Sequence, residues 1–171
     1  MSRLAFRTFG VLVAPYDDPR IDGFNTLGDI ITAGLAAAPG YVCSIFDEDD
    51  WDGGRWGPYT YNRFFGQPVA GSPDLDASTL SVWCDLESVF RFAYTAHHRS
   101  AIRDRAEWFE PRGWPGYVAW WIDDAELPTW GDSVARLEHL HEHGSTPYAF
   151  DFHRPFLADG SACPRPHLAE P

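Results

Sequence analysis

Six segments with strand or helix periodicity follow one another in the order strand, helix, strand, strand, helix, strand, and that order restricts this 171-residue chain more than any single motif. Leu4 to Val13 mixes apolar and polar positions as a strand does, and Pro15 to Pro19 supplies turn chemistry after it. From Ile21 to Ala38, Phe24, Leu27, Ile30, Ile31, Leu35 and Ala38 recur at helical spacing until Pro39-Gly40 ends the pattern. Tyr41 to Phe46 reads as a short strand, and Thr79 to Cys84 alternates as a second one. Asp85 stands at an N-cap position before a long apolar-faced helix that is broken near His97 and His98 and ends at Pro111. Tyr117 to Ile122 is a nearly unbroken apolar run, as a buried strand requires. This is the order of an α+β, ferredoxin-like split βαβ antiparallel sheet with helices on one face. The other face of such a sheet is open and is commonly covered by a second copy, so a homodimer is expected.

Outside these six segments the chain is less regular. Asp47 to Pro58 is an acidic loop, Tyr59 to Phe65 reads as an extra strand or extended arm, and Gly66 to Ser78 is irregular. A third helix opens at Pro128-Thr129, with Thr129 as N-cap, and closes at Gly144, and Tyr148 to Phe152 resembles a last short strand. The expected division is one domain over 1–152 and a Pro-rich tail over 153–171, the tail either unfolded or laid over the surface.

Thirteen basic residues stand against 25 acidic ones, and all thirteen are Arg. A chain without Lys cannot supply a Schiff base, a kinase Lys–Glu pair or a Walker-type phosphate loop. A formal charge of −12 with no basic stripe argues against nucleic acid. No run approaches the roughly 18 apolar residues of a membrane span, and no signal-peptide pattern precedes the first strand. Cys43, Cys84 and Cys163 form no CxxC, so the reading is a soluble cytoplasmic protein with reduced thiols. Aromatic content of 16%, with eight Trp, permits an apolar ligand pocket as well as a core.

Three clusters carry chemistry. Glu48 to Gly53 copies the front of a calcium loop, but Glu replaces the first Asp and Tyr59 stands where a bidentate Glu belongs, so it reads as a solvated loop. His139 and His143 share a helical face at zinc-like spacing, yet the helix's apolar stripe of Val134, Leu137 and Leu140 makes them a polar outer face near the C-terminal dipole. No metal is expected at either. His98 follows Tyr94 by four residues and precedes Arg105 by seven, which places it at the edge of a buried stripe beside a cation. Such a His is disfavoured in its protonated form and suits a general base or a haem ligand, or else a core-edge residue bonded to a carbonyl. Cys163-Pro164 copies a haem-regulatory dipeptide but lies in the Pro-rich tail, where chance explains it.

With Leu4-Ala5, Gly40, Ser81-Val82-Trp83, Glu87, Tyr94, His98-Arg99, Arg105, Trp108-Phe109, Trp120-Trp121, Pro128-Thr129, Arg136-Leu137, Leu140, Gly144, Thr146-Pro147 and Ala149-Phe150, the chain resembles a bacterial family catalogued as domain of unknown function 3291. The resemblance covers Leu4 to about Phe152. It departs at Thr8, where the family usually has Asn, near Cys43, where an aromatic is usual, and over Trp51 to Ser72, a longer segment that could form a pocket lid. The resemblance implies a protomer of the dimeric α+β barrel superfamily, whose members include cofactor-independent monooxygenases, haem-degrading monooxygenases, chlorite dismutase-like haem enzymes and small isomerases or cyclases. A strand Trp followed by a helix His also resembles the haem-degrading members, although Trp83 and His98 are further apart than theirs.

The expected function is therefore an enzyme acting on an apolar aromatic metabolite in secondary metabolism, by oxidation without a cofactor or by rearrangement or cyclisation. His98 would be the general base and Arg105 the oxyanion stabiliser, with Phe9, Trp83, Tyr94, Trp108 and Trp120 shaping the substrate pocket. The alternatives are a haem enzyme with His98 as ligand and a non-catalytic binding protein for an aromatic metabolite.

Overall fold

The computed structural model describes residues 1–47, 53–65, 75–94, 104–111 and 113–164. Its elements are β1 (Ser2–Val11), α1 (Asp22–Leu35), β2 (Tyr41–Ser44), β3 (Asp76–Trp83), α2 (Leu86–Ala93), β4 (Tyr117–Asp123) and α3 (Trp130–His143). The four strands form one antiparallel sheet in the order β2-β3-β1-β4. Strands β1 and β2 run parallel with β3 between them, and β3 and β4 run parallel with β1 between them, which is the split βαβ arrangement. The chain is thus α+β, as its segment order requires.

Local chemistry sets the helix ends. Asp85 accepts from the Ser88 backbone N–H at 2.7 Å and starts α2, as its N-cap position predicts. Thr129 and Asp132 form a reciprocal capping box at the start of α3, and Gly144, at φ 70°, ends it with its N–H on the Leu140 carbonyl. Strand β3 begins at Asp76 instead of Thr79, because Asp76, Ala77 and Ser78 pair with Val11, Gly10 and Phe9. At Gly10 the Phe109 ring lies 2.4 Å from where a Cβ would stand, so only glycine lets that ring close over β1. The expected long second helix is described in two parts, α2 and a helical turn over 104–108. The Tyr59 to Phe65 segment is an irregular arm rather than a strand, and the Tyr148 to Phe152 segment contributes only isolated bridges, among them Ala119 with Phe150.

Alternation along the strands divides the core into two layers. Leu4, Phe6, Trp83 and Ala119 face α1, α2 and the segment carrying Phe150, Phe152 and Phe156. Ala5, Phe9, Val11, Leu80, Val82, Val118 and Trp120 face Trp130, Leu137 and Leu140 of α3 together with Trp56, Tyr59, Phe64 and Phe65. This corrects the expected arrangement of helices on one face: α1 and α2 cover one face, and α3 with residues 53–65 covers the other. The open face that would call for a partner's sheet is filled from within the chain, because the third helix and the extended segment between β2 and β3 both carry apolar stripes that need burial. The chain also stays packed beyond Phe152. Phe156 is buried, its carbonyl accepts from Trp121 Nε1 at 2.7 Å, and Cys163 N–H donates to the Pro155 carbonyl at 3.0 Å. No helix among the described residues is long and apolar enough to cross a membrane.

Candidate functional site

On the α3 face, β1 places a fully buried Arg7 between Ala5 and Phe9. Its Nη1 donates to Ser133 Oγ at 2.7 Å and its Nη2 to Ser78 Oγ at 3.4 Å, while Nε has no partner. The rings of Trp130 and Phe9 lie 5.5 and 5.9 Å from the guanidinium carbon. Ser78 Oγ in turn donates to Asp76 Oδ1 at 2.6 Å, and the Tyr59 hydroxyl donates to Asp76 Oδ2. A chain of contacts therefore runs from the enclosed guanidinium through Ser78 to a half-buried carboxylate and a half-buried phenol at the rim.

The electrostatics of the cluster follow from enclosure. Burial pushes the Asp76 carboxyl above its ordinary value, against the lowering effects of the Ser78 and Tyr59 hydrogen bonds and of Arg7. Burial, the neighbouring Asp76 charge and the hydrogen bond to it together push the Tyr59 phenol well above its usual range. Burial lowers Arg7, opposed by Tyr59, Asp76 and Glu138. Perturbed acid, phenol and guanidinium groups in one place are the pattern by which acid–base sites are recognised.

Residues 53–65 roof this cluster. Trp56 is fully buried and its carbonyl accepts from Trp130 N–H at 2.9 Å. Tyr59 meets Trp130 edge to face at 4.7 Å between ring centroids. At the far end, Arg63 pairs with Glu142 of α3 at 2.5 Å, and its backbone N–H donates to Glu138 at 2.8 Å. The part of the Trp51 to Ser72 segment that is described thus lies over a polar cluster, where a lid was expected.

The residues expected to form the site do not share one place. Phe9 and Trp120 belong to the α3 face, and Phe9 lines the Arg7 cluster. Trp83 and Tyr94 belong to the opposite layer: Trp83 Nε1 donates to Ser81 Oγ at 2.9 Å, and its ring packs on Tyr41 and Phe92, while Tyr94 packs on Phe90 and Phe152. Trp108 lies against Gly23 and Phe24 at the start of α1. Arg105 is exposed on the 104–108 turn, its Nη2 3.9 Å from where a Cβ would stand on Gly116, whose carbonyl accepts from Phe9 N–H. His98 lies outside the described residues, as do Glu48 to Asp52 of the acidic loop. Among the described residues no three His, Cys, Asp or Glu side chains are placed to hold a metal ion. Trp83, the strand Trp of the Trp–His pair that resembles the haem-degrading members, is only 1% exposed.

A groove of about 430 Å³ lies between Ile30, Ile31 and Gly34 of α1 and Ser88, Arg91 and Phe92 of α2. Its cation is committed to the Glu87–Arg91 surface pair. The Arg7 cluster is the richer site chemically, and Arg7, Asp76, Ser78, Ser133 and Tyr59 were absent from the sequence expectation. One signal for it was present: Arg7 occupies an inward position of an alternating strand, where a charge needs a reason.

A family model described as domain of unknown function (DUF3291) matches residues 3–165. The chain belongs to this family. No curated protein and no solved structure matches it. The DUF3291 match spans every element of the sheet and α3, and Arg7, Tyr59, Asp76, Ser78 and Ser133 all fall within it.

Proposed function

We propose that this chain is a small-molecule enzyme that moves a proton on an aromatic carbonyl compound, and that Asp76 and Arg7 carry the chemistry. The observation that carries the reading is the free Nε–H of Arg7. A fully buried guanidinium with an unpartnered nitrogen is costly, and its loss would leave both serine hydroxyls with acceptors, since Ser133 Oγ also donates to the Trp130 carbonyl and Ser78 Oγ to Asp76. A ligand oxygen at Nε would complete its hydrogen bonding. In the proposed step the Asp76 carboxylate takes a proton from the carbon next to the carbonyl, and the C–H electron pair moves onto the carbonyl oxygen. Arg7 stabilises that oxyanion, and Asp76 then returns the proton at another position of the substrate. Rearrangement is chosen over oxidation because these groups complete it without a further reagent. Phe9 and Trp130 would flank the aromatic part.

The test uses β-tetralone, an aromatic ketone with an acidic C–H, incubated in deuterium oxide. The native protein is expected to accelerate deuterium uptake at the carbon between ring and carbonyl, read by mass spectrometry. Asp76→Asn should abolish the acceleration, and Arg7→Met should reduce it roughly a hundred-fold, as loss of an oxyanion donor does. Uptake that is unchanged in both variants, or binding of the ketone with no exchange above background, overturns the proposal.

A further inference from the structure

Tyr59 puts a hydroxyaromatic group from the chain itself onto the proposed base. Its ring packs on Trp130, the same ring that Arg7 approaches, and its hydroxyl donates to Asp76. We propose that Tyr59 is a placeholder for the enol of the substrate, so that the site takes hydroxyaromatic compounds or their keto tautomers, and that such a compound enters by displacing Tyr59. The proposal rests on the Arg7–Asp76 reading above and adds a substrate class and a mode of entry to it.

Three features make the displacement feasible. The incoming compound replaces two of the contacts that Tyr59 makes, an aromatic ring against Trp130 and an O–H on Asp76. Tyr59 sits between Trp56, fully buried in the core, and residues 62–65, where Asn62 is buried, Phe64 and Phe65 pack against the core, and Arg63 is half-exposed and held by carboxylates at the surface. Exposed ion pairs of this kind hold weakly and yield to salt, so displacing Tyr59 works mainly against the packing of Phe64 and Phe65 while Trp56 stays seated. Residues 53–65 carry no helix or strand whose ladder would have to break. The ligand also has to be uncharged: Nη1 and Nη2 of Arg7 already point to serines, leaving Nε for a single oxygen, and Asp76 at the rim repels carboxylates and phosphates.

The experiment measures binding of β-naphthol, a stable enol mimic, to the intact chain by calorimetry, alongside hydrogen exchange of residues 53–65. Tyr59→Phe keeps the ring and opens no cavity, but it loses the O–H on a carboxylate. Its affinity for β-naphthol is expected to rise roughly ten- to a hundred-fold over the native chain. Asp76→Asn should lose binding, β-naphthoate should bind more weakly than β-naphthol, and exchange over 53–65 should increase when β-naphthol binds. Equal or weaker binding by Tyr59→Phe, no binding to either protein, tighter binding of the naphthoate, or slower exchange over 53–65 overturns the placeholder. The two readings fail differently. If Tyr59→Phe binds less well while Arg7→Met and Asp76→Asn still weaken binding, the site stands and the placeholder falls; if those two variants bind as the native chain does, the site itself falls.

Discussion

Replacing Arg7 separates fold from function, and the structure sets the size of the effect. In Arg7→Met the charge-assisted bond to Ser133 Oγ at 2.7 Å is lost, a contribution of about 1.5–3 kcal/mol. The bond to Ser78 at 3.4 Å is long and adds little, and the two ring contacts at 5.5 and 5.9 Å contribute about 0.5–1 kcal/mol each. Against this stands the penalty of holding a guanidinium with an unpartnered Nε out of water, several kcal/mol even after relaxation. Met keeps most of the stem volume and leaves both serine hydroxyls with acceptors.

Arg7→Met also takes from Asp76 a cation that favours its charged form, so the net expectation is a stability within about 2 kcal/mol of the native protein. Arg7→Ala, which also empties the space of the stem, should lose about 2–5 kcal/mol. Urea unfolding at neutral pH, with equal slopes for the three proteins, reads both differences. A loss beyond about 3 kcal/mol in Arg7→Met would mean that the guanidinium is a structural bolt. The free Nε would then carry no argument for a ligand. A stable Arg7→Met that no longer exchanges β-tetralone would instead place the whole cost of this residue in function.

Further expectations follow from other parts of the molecule. Because burial raises Asp76 above 3.8, the folded state holds its proton more tightly than the unfolded chain, so this group's contribution to stability is present at low pH and declines as pH rises through the folded value; Asp76→Asn should flatten that part of a stability–pH curve, and the proposed deuterium uptake with the native protein should rise over the same range. His139 is lowered by partial burial and by the neighbouring His143 and Arg136, so its contribution is full above 6.5 and lost as pH falls, and His139→Gln should reduce the acid sensitivity seen in urea titrations between neutral pH and the folded value. Thr129→Ala removes the capping box of α3 and should cost about 1–2 kcal/mol in the same assay; a change below a few tenths would show that packing on Trp130 alone fixes the helix start. At Gly40, φ 76°, an added Cβ would lie 2.1 Å from Ser88 Oγ, so Gly40→Ala should destabilise by more than the roughly 1 kcal/mol of the left-handed backbone, and Ser88→Gly in the same chain should recover the excess.

Periodicity and capping chemistry made much of the fold legible. The order of strands and helices, the Asp85 and Thr129 caps and the Gly144 stop are local properties, and each stands where the residues put it. The second layer was less legible, because an apolar stripe on α3 or on residues 53–65 says that a face must be buried but not against which side of the sheet. The site was hardest to see for a related reason. Arg7, Tyr59, Asp76, Ser78 and Ser133 come from β1, the arm, β3 and α3, and only the register of the strands brings them together.

Register also decides the fate of the aromatic pocket expected from sequence. Trp83 pairs with Leu4, and Trp120 pairs with Ala5. Successive residues of β1 point to opposite faces, so this offset of one places the two tryptophans on opposite sides of the sheet, and no rearrangement of loops can bring them into one cavity. The same parity puts Arg7 on the side of Ala5 and Phe9, hence with Trp120 and under α3, and away from α1 and α2. A pocket that contains Phe9 and Trp120 must therefore contain Arg7, and a pocket that contains Trp83 and Tyr94 cannot.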